Sequence, residues 1–291
     1  MFVSGFTIAR NVVKADYPIK EAILSILPLC DELIVAVGKS EDSTLEYIKS
    51  IDSDKIKIIE TVWDDSLREG GRVLADETNK ALKAINPKAS WCIYIQADEC
   101  LHEKDYLHLK QMMHKYEFNE KVDGLLFAYN HFYGTYDYLA DSRGWYKREV
   151  RIIKNKPEIF SYKDAQGFRK HNNQKLLVAQ TQASVYHYGW VKHPKLQLEK
   201  LKQARKLWHS DDFLEKEYKD EIEFDFSTID SLKKFEGIHP NIMTERISQK
   251  NWTLNFDINQ KKMDAKTRFL YWIEKVSGWR IGEYRNFKIV K

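Results

Sequence analysis

With 291 residues, 43% of them hydrophobic and 31% charged, the chain has the composition of a soluble globular enzyme, with room for one large domain or two modest ones. A net charge of +4 and a sequence pI of about 8.6 are too mild for a nucleic-acid binder, so no nucleic-acid partner is expected. The three cysteines, Cys30, Cys92 and Cys100, exclude a disulfide framework and a zinc site of paired thiolates, and predict a reducing compartment.

The opening stretch "MFVSGFTIARNV" is patterned as a strand from Phe2 to Ala9 and lacks the basic region and long apolar run of a signal peptide. No window approaches the ~20 apolar residues of a membrane span, so a cytoplasmic protein is expected. Asp16-Tyr17-Pro18 predicts an N-cap and an early helical proline before "IKEAILSIL". "ELIVAVG" reads as a second buried strand and "SEDSTLEYIKSI" as a helix behind short polar caps. "KIKIIET" is a third strand, "GGRVLADETNKALKAI" a long helix, and "WCIYIQ" a fourth strand. Strand and helix in alternation predict βαβ units and a mostly parallel sheet covered on both faces.

After Asp123 the texture changes. "VDGLLFAYNHFYG", "REVRIIKN" and "ASVYHYGW" read as strands separated by irregular polar stretches, which predicts an antiparallel or mixed extension of the sheet. From Pro194 onward the pattern is helical, with Leu198, Leu201, Ala204 or Arg205, and Trp208 on one face. The last stretch, Lys261 to Lys291, holds nine Lys/Arg against three Asp/Glu, a surplus of +6 that leaves −2 for the rest of the chain. Interleaved with Trp272, Trp279, Tyr284 and Phe287, this basic end is read either as a solvated face or as a peripheral contact with an anionic membrane. The expected organisation is a catalytic α/β domain over residues 1–193, divided into a nucleotide-binding half (1–122) and an acceptor-side half (123–193), followed by a helical region over 194–291.

In an open parallel sheet, ligands bind beyond the carboxyl ends of the strands. Four segments should meet there: "IARN", "GKSEDST", "WDDS" and "QADE", which place Arg10, Asn11, Lys39, Asp42, Asp64, Asp65, Asp98 and Glu99 along one rim. No glycine-rich dinucleotide or P-loop signature is present. The fourth segment is the most telling. Two adjacent carboxylates at the mouth of a buried strand need a cation, a donor network or open solvent, since an unpaired buried carboxylate costs several kcal/mol or gives up its charge. A hard divalent ion, Mg²⁺ or Mn²⁺, takes one or two carboxylates and completes its shell with phosphates and water. Asp98 and Glu99 suit that description; the competing reading of Asp98 is an N-cap for the following helix.

"FTIARNV", "LIVAVGKSEDSTLEYI" and "TNKALKAI…ASWCIYIQADECL" resemble the successive signatures of family-2 glycosyltransferases with the GT-A fold, over about residues 1 to 110. "WYKREVRIIKN", "DAQGFRKH", "VYHYGWVKHP" and "GIHPNIMTERI" resemble a bacterial subset of them that builds glycans. The resemblance implies a GT-A-like α/β fold, a nucleotide-sugar donor, a saccharide or lipid-linked acceptor, and a metal on the donor diphosphate. Two positions depart from the family pattern. Val37 and Gly38 stand where an Asp usually ends strand two, and Gln96 replaces the first Asp of the strand-four Asp-x-Asp, so that Asp98, extended by Glu99, keeps the metal-binding carboxylate.

The resemblance further implies that His187 joins the metal, with a strand histidine packed between tyrosines as the alternative, while His193 is read as structural. It places Ala9, Arg10, Asn11, Lys39, Asp42, Gln96 and Asp98 on the donor. Arg151 and Arg169, with Arg148, would neutralise the diphosphate through planar donor forks. Inverting transfer needs a base for the acceptor hydroxyl; Asp164 is the first candidate and Glu149 the second, each with an ion-pair alternative supplied by neighbouring lysine and arginine. Trp145, Tyr146, Tyr188 and Trp190 are candidate platforms for sugar rings or plain packing. The resulting expectation is a metal-dependent hexosyltransferase acting in polysaccharide synthesis in the cytoplasm or at the inner face of the membrane. A non-catalytic glycan- or membrane-binding module and a sugar-phosphate nucleotidyltransferase are the rivals; the latter predicts a glycine-rich loop after strand one, which "IARNVVKADYP" lacks.

Overall fold

The computed structural model describes residues 1–67, 69–206 and 221–290. Its N-terminal half is the expected alternation: β1 (Val3–Ala9), α1 (Ile19–Ile26), β2 (Glu32–Gly38), α2 (Thr44–Lys49), β3 (Ile56–Thr61), α3 (Arg72–Lys83) and β4 (Trp91–Tyr94). β3, β2, β1 and β4 lie side by side in that order, all parallel. Every residue of β1, β2 and β4 is buried, because the sheet is covered on both faces. On one face Ile19, Ile23, Leu109 and Met113 pack against Val35, Ile93 and Leu125; on the other Phe6, Ile34, Tyr94 and Phe168 meet Ala81 and Ile85.

The second half extends the sheet with mixed directions, as expected. After β5 (Glu99–Leu101) and α4 (Tyr106–Tyr116) come β6 (Gly124–Tyr133), β7 (Thr135–Ala140), β8 (Arg148–Lys154), β9 (Phe160–Tyr162), β10 (Gly167–Lys170) and β11 (Gln174–Trp190). β8 runs antiparallel between β4 and β6, β6 is parallel to β11, and β10 and β9 follow antiparallel. The C-terminal region holds α5 (Pro194–Arg205), β12 (Leu232–Lys234), α6 (Thr244–Ser248), α7 (Ala265–Ser277) and β13 (Phe287–Ile289). The α/β class read from the sequence is borne out.

Three local expectations are corrected. Asp16 does not cap α1: Pro18 occupies the N-cap position without a side-chain bond, while Asp16 adopts φ 48° and its carboxylate accepts from Arg246. Asp98 does not cap a helix either, because β5 follows it and pairs antiparallel with β11. The region after Pro194 is more than helical: β12 pairs with β7 and β13 with β11, so it is stitched into the sheet. The expected continuation of α5 through Trp208 lies outside the described residues.

One ion pair ties the two halves together. Glu99 and Arg151 are both wholly buried and meet through two bonds of 2.8 Å, Nε to Oε2 and Nη2 to Oε1. The Tyr129 hydroxyl donates to Glu99 Oε1 at 2.7 Å and the Gln96 amide N–H to Oε2 at 3.1 Å. The guanidinium stands 5.3 Å from the ring centres of Tyr94 and Tyr129, and its Nη1 donates to Val150 O and Gln166 O. Glu99 is therefore an anchor and not a metal ligand, and Arg151 is spent on it and not on a donor diphosphate. Removing one charge leaves the other buried and unpaired, a loss of about 3–5 kcal/mol. Glu99→Gln should lower the unfolding free energy in urea by that amount; a change below about 1 kcal/mol, the level of an exposed pair, would deny the pair this role.

Candidate active site

A cleft of about 550 Å³ opens beyond the carboxyl ends of β1 and β4. This size and place suit a small-molecule site in an open α/β sheet. Ile8, Leu74, Trp63 and Tyr94 form apolar wall, and Arg10, Asn11, Gln96, Asp98, Asp164 and Lys200 bring polar groups to it. Six of the predicted site residues, Arg10, Asn11, Asp65, Gln96, Asp98 and Asp164, thus converge. Arg10 lies over the Trp63 ring at 5.2 Å and 3.5 Å from Asp65. Asn11, at φ 52°, bonds back to the loop after β2 through Ser40 and Glu41, a shape that asparagine tolerates better than most residues.

Asp98 is the charged centre. Its Oδ2 accepts from Lys200 Nζ at 3.2 Å, and that ammonium also donates to Gly189 O at 2.7 Å and stands 4.5 Å from the Tyr17 ring centre. Burial alone would raise the Asp98 pKa, but the Lys200 ammonium outweighs it and holds the carboxyl at about 2. β5 and β11 bring His187 alongside: Tyr188 N–H donates to Asp98 O at 2.7 Å, and His187 pairs with Glu99 in register. A Cβ on Gly189 would fall 2.6 Å from Asp98 Oδ2 and 2.8 Å from His187 Nε2, so only glycine leaves this corner open.

The protons on the histidines follow from their partners. His131 Nε2 lies 2.7 Å from Tyr146 O, which can only accept, so Nε2 carries the hydrogen. Burial, and then His187, lower the His131 pKa to about 3, which leaves Nδ1 as a lone pair. His187 Nδ1, 3.1 Å away, must therefore donate. Burial also lowers the His187 pKa against the pull of Asp98, so the neutral ring turns a lone pair at Nε2 toward Asp98 Oδ1, 3.8 Å away. Two acceptors face each other across a gap, with a hydrogen-bonded chain behind the imidazole. These two groups fit a divalent ion that draws its remaining ligands from phosphates and water. Among the described residues no three His, Cys, Asp or Glu side chains come together to hold a metal.

Asp164 is presented differently. It sits in a turn whose neighbours, Lys163 and Ala165, both have positive φ, 55° and 59°. The turn is held by Arg151 Nη1 on Gln166 O at 2.8 Å and Gln96 Nε2 on Ala165 O at 3.4 Å. Among the described residues its carboxylate has neither ion-pair nor hydrogen-bond partner: Lys163 lies over Tyr162, and Arg169 is engaged elsewhere. Non-glycine residues in the left-handed region carry strain that surrounding structure must hold.

The other predicted residues lie outside the cleft. Glu149 is buried, accepts from its neighbour's Val150 N–H at 2.9 Å, and sits beneath Gly167; it does not line the cleft and is corrected as a base. Arg169 is buried and donates to Asn173, Asn286 O and the Tyr284 hydroxyl, so it holds the C-terminal segment and not a diphosphate. Arg148 pairs with Glu283 at 3.1 Å. Lys39 and Asp42 line a separate hollow by β2 and β3, where Asp42 accepts from the Lys14 and Thr44 amides. Ala9 is buried within the sheet opposite Val37. Trp145, Trp190 and Tyr188 pack in aromatic clusters away from the cleft, and His193 caps α5 through Lys195 N–H. Lys200, Tyr17 and His131 were missed; a lysine in a lysine-rich helix carries no signal of where it will land.

No family model and no curated protein matches the chain. Among solved structures, a 1–349 fragment of S. aureus TarS in complex with UDP aligns at 14% identity over 71% of this chain and 65% of that one, with a TM-score of 0.41. The 4-diphosphocytidyl-2C-methyl-D-erythritol synthase of Anaerococcus prevotii aligns at 13% over 53% and 71%, with 0.34. The Mycobacterium tuberculosis glucosyl-3-phosphoglycerate synthase, in complex with Mn²⁺, UDP and phosphoglyceric acid, aligns at 18% over 44% and 43%, with 0.31. The chain spans 65% of the TarS fragment's length and 39% of the TarS structure that extends beyond it. At these scores the reading of the cleft rests on its own residues.

Glu149 gives a test that separates burial from catalysis. Burial raises its pKa to about 7 against the opposing pull of Arg151. Between about pH 4.5 and 7 the native state keeps a proton that the unfolded chain has released, so stability falls as pH rises through that window. Glu149→Gln should therefore gain on the native protein by about 3 kcal/mol across the window and hold that gain above it. A difference that does not change with pH would refute the buried, protonated acid.

Proposed function

We propose that the chain is a glycosyltransferase of the GT-A type, moving a sugar from a nucleotide-sugar donor to a hydroxyl of a saccharide or lipid-linked acceptor. The observation that carries this reading is one cleft, at the strand ends, that holds both a fixed charge centre around Asp98 and the carboxylate of Asp164, unpartnered among the described residues. The first suits the departing diphosphate and the second an acceptor.

In this reading Asp164 accepts the proton of the acceptor hydroxyl as that oxygen bonds to the anomeric carbon. The bond from that carbon to the diphosphate breaks on the opposite face, and its electron pair leaves with the diphosphate. Lys200 and Arg10 are among the cations that line the cleft, with Lys14 and Lys206, and charges of this kind favour a transition state in which negative charge grows on the leaving group. Asp98 and His187 would hold the divalent ion that the resemblance implies, and such an ion, when bound, further neutralises phosphate charge. Trp63, Tyr94 and Leu74 supply apolar faces for the base or sugar.

A thermal-shift panel of UDP-, GDP-, CMP- and dTDP-sugars, with and without Mn²⁺, identifies the donor. Asp164→Asn should then keep donor affinity within about threefold and cut turnover by at least about 100-fold, the usual contribution of a general base. Turnover within tenfold of the native enzyme would remove Asp164 from the chemistry. Lys200→Met should weaken nucleoside diphosphate binding by at least about tenfold in titration calorimetry, the effect of about 1.4 kcal/mol from a lost charge-assisted contact. Unchanged affinity would mean that Lys200 serves only to neutralise Asp98.

A further inference from the structure

α7 is built the wrong way round for a helix on the surface of a soluble protein. Its inner side is polar. Glu274 is buried and takes Arg143 Nη1 at 2.7 Å, Arg280 Nη1 at 3.6 Å and the Lys147 ammonium, while Tyr271 donates to Asp141 at 2.6 Å. Its outer side is apolar: Phe269 is 60% exposed, Trp272 59% and Val276 70%, with Trp279, just past the helix, at 62%. At about 100° per residue, Phe269, Trp272 and Val276 fall within an arc of about 60°. Arg268 and Lys275 border that arc on one side and Lys266 on the other.

Amphipathic helices normally turn their apolar stripe to the core. Here buried ion pairs hold the polar face inward and fix the aromatic face outward. The capping at both ends sets the length: Asp264 accepts from Thr267 N–H, and Gly278 closes the helix at φ 69°. The charges around the stripe are one-sided. Of the three acids after Lys261, Glu274 and Glu283 are engaged with arginines inside the fold, and Lys275 is paired with Asp141 at 3.4 Å, which leaves Asp264 against Lys262, Lys266 and Arg268.

We propose that the outer face of α7 docks on an anionic phospholipid bilayer, lying in the interface with Phe269, Trp272, Val276 and Trp279 in the headgroup–acyl boundary. Indole rings favour that boundary, and flanking cations meet anionic headgroups on both sides of the stripe. Charge complementarity selects this occupant over a second copy of the chain, since pairing two such faces would oppose cationic flanks to cationic flanks. No helix among the described residues is long and apolar enough to cross a membrane, so the contact is a surface one. The inference does not depend on the chemistry proposed for the cleft.

The full chain should sediment with vesicles of phosphatidylcholine and phosphatidylglycerol, with its tryptophan emission shifted to the blue, and far less with phosphatidylcholine alone or in high salt. The double variant Trp272→Ser, Val276→Ser should lose at least about tenfold in partitioning while its thermal midpoint stays within a few degrees of the native protein, since both side chains are exposed. Lys266→Glu with Arg268→Glu should weaken binding to the anionic vesicles and abolish its salt dependence. Absence of binding to anionic vesicles, or binding that the Trp272/Val276 variant retains, would overturn the proposal. So would a native dimer in sedimentation velocity that this variant dissociates, for the face would then belong to a second copy.

Discussion

The arrangement of the cleft depends on one buried ion pair. Glu99 closes the mouth of β4 and Arg151 rises from β8 beside it; their bidentate contact, completed by Tyr129 and the Gln96 amide, joins the parallel half of the sheet to the mixed half. A pair of this kind is costly to desolvate and adds little net stability over an apolar replacement. What it supplies is position. Arg151 has donors left after Glu99 is satisfied, and one of them holds Gln166 O, the last residue of the turn that presents Asp164. Gln96, one strand away, holds Ala165 O of the same turn. The strained backbone on either side of Asp164 is thus held from within the core, on atoms that start at the strand-four mouth.

The two adjacent carboxylates divide their work by geometry. Asp98 lies in the turn after β4, closed by Glu99 N–H on Gln96 O at 3.1 Å, and Glu99 opens β5, so the two side chains part. Glu99 turns inward to Arg151, and Asp98 turns outward to Lys200 and His187. Each is satisfied by a different means: Glu99 by a permanent partner in a closed site, Asp98 by a cation at an open one. The outward group is the one whose partner can be exchanged or shared when a charged ligand arrives.

The parallel strands are legible in the sequence because burial on both faces turns β1, β2 and β4 into short continuous apolar runs. The first half of β11 is not legible, since Gln174–Gln182 carries polar residues where it passes solvent and β13. Among site residues, Arg10, Asn11, Gln96 and Asp98 follow from the rule that ligands meet strand ends, which needs only the order of elements. Arg151 and Arg169 could not be placed by that rule: an arginine on a strand reads the same whether it meets a ligand or a buried partner. Lys200 depends on how α5 crosses the sheet, a tertiary fact with no local signature.

That crossing gives the C-terminal region its part in the site. Lys192 and Lys200 stand on the Tyr17 ring at 5.2 and 4.5 Å, and Lys192 also binds Asp16 O and Arg246 the Asp16 carboxylate. The loop after β1, which forms one wall of the cleft, is therefore pinned by residues from the end of β11, α5 and α6. Burial, and then crowding by Lys200, pull the Lys192 pKa down to about 7 against the opposing pull of Asp16. An anion entering the cleft relieves that crowding and favours the charged ammonium. The C-terminal region that brings Lys200 to Asp98 also carries the outward aromatic face of α7.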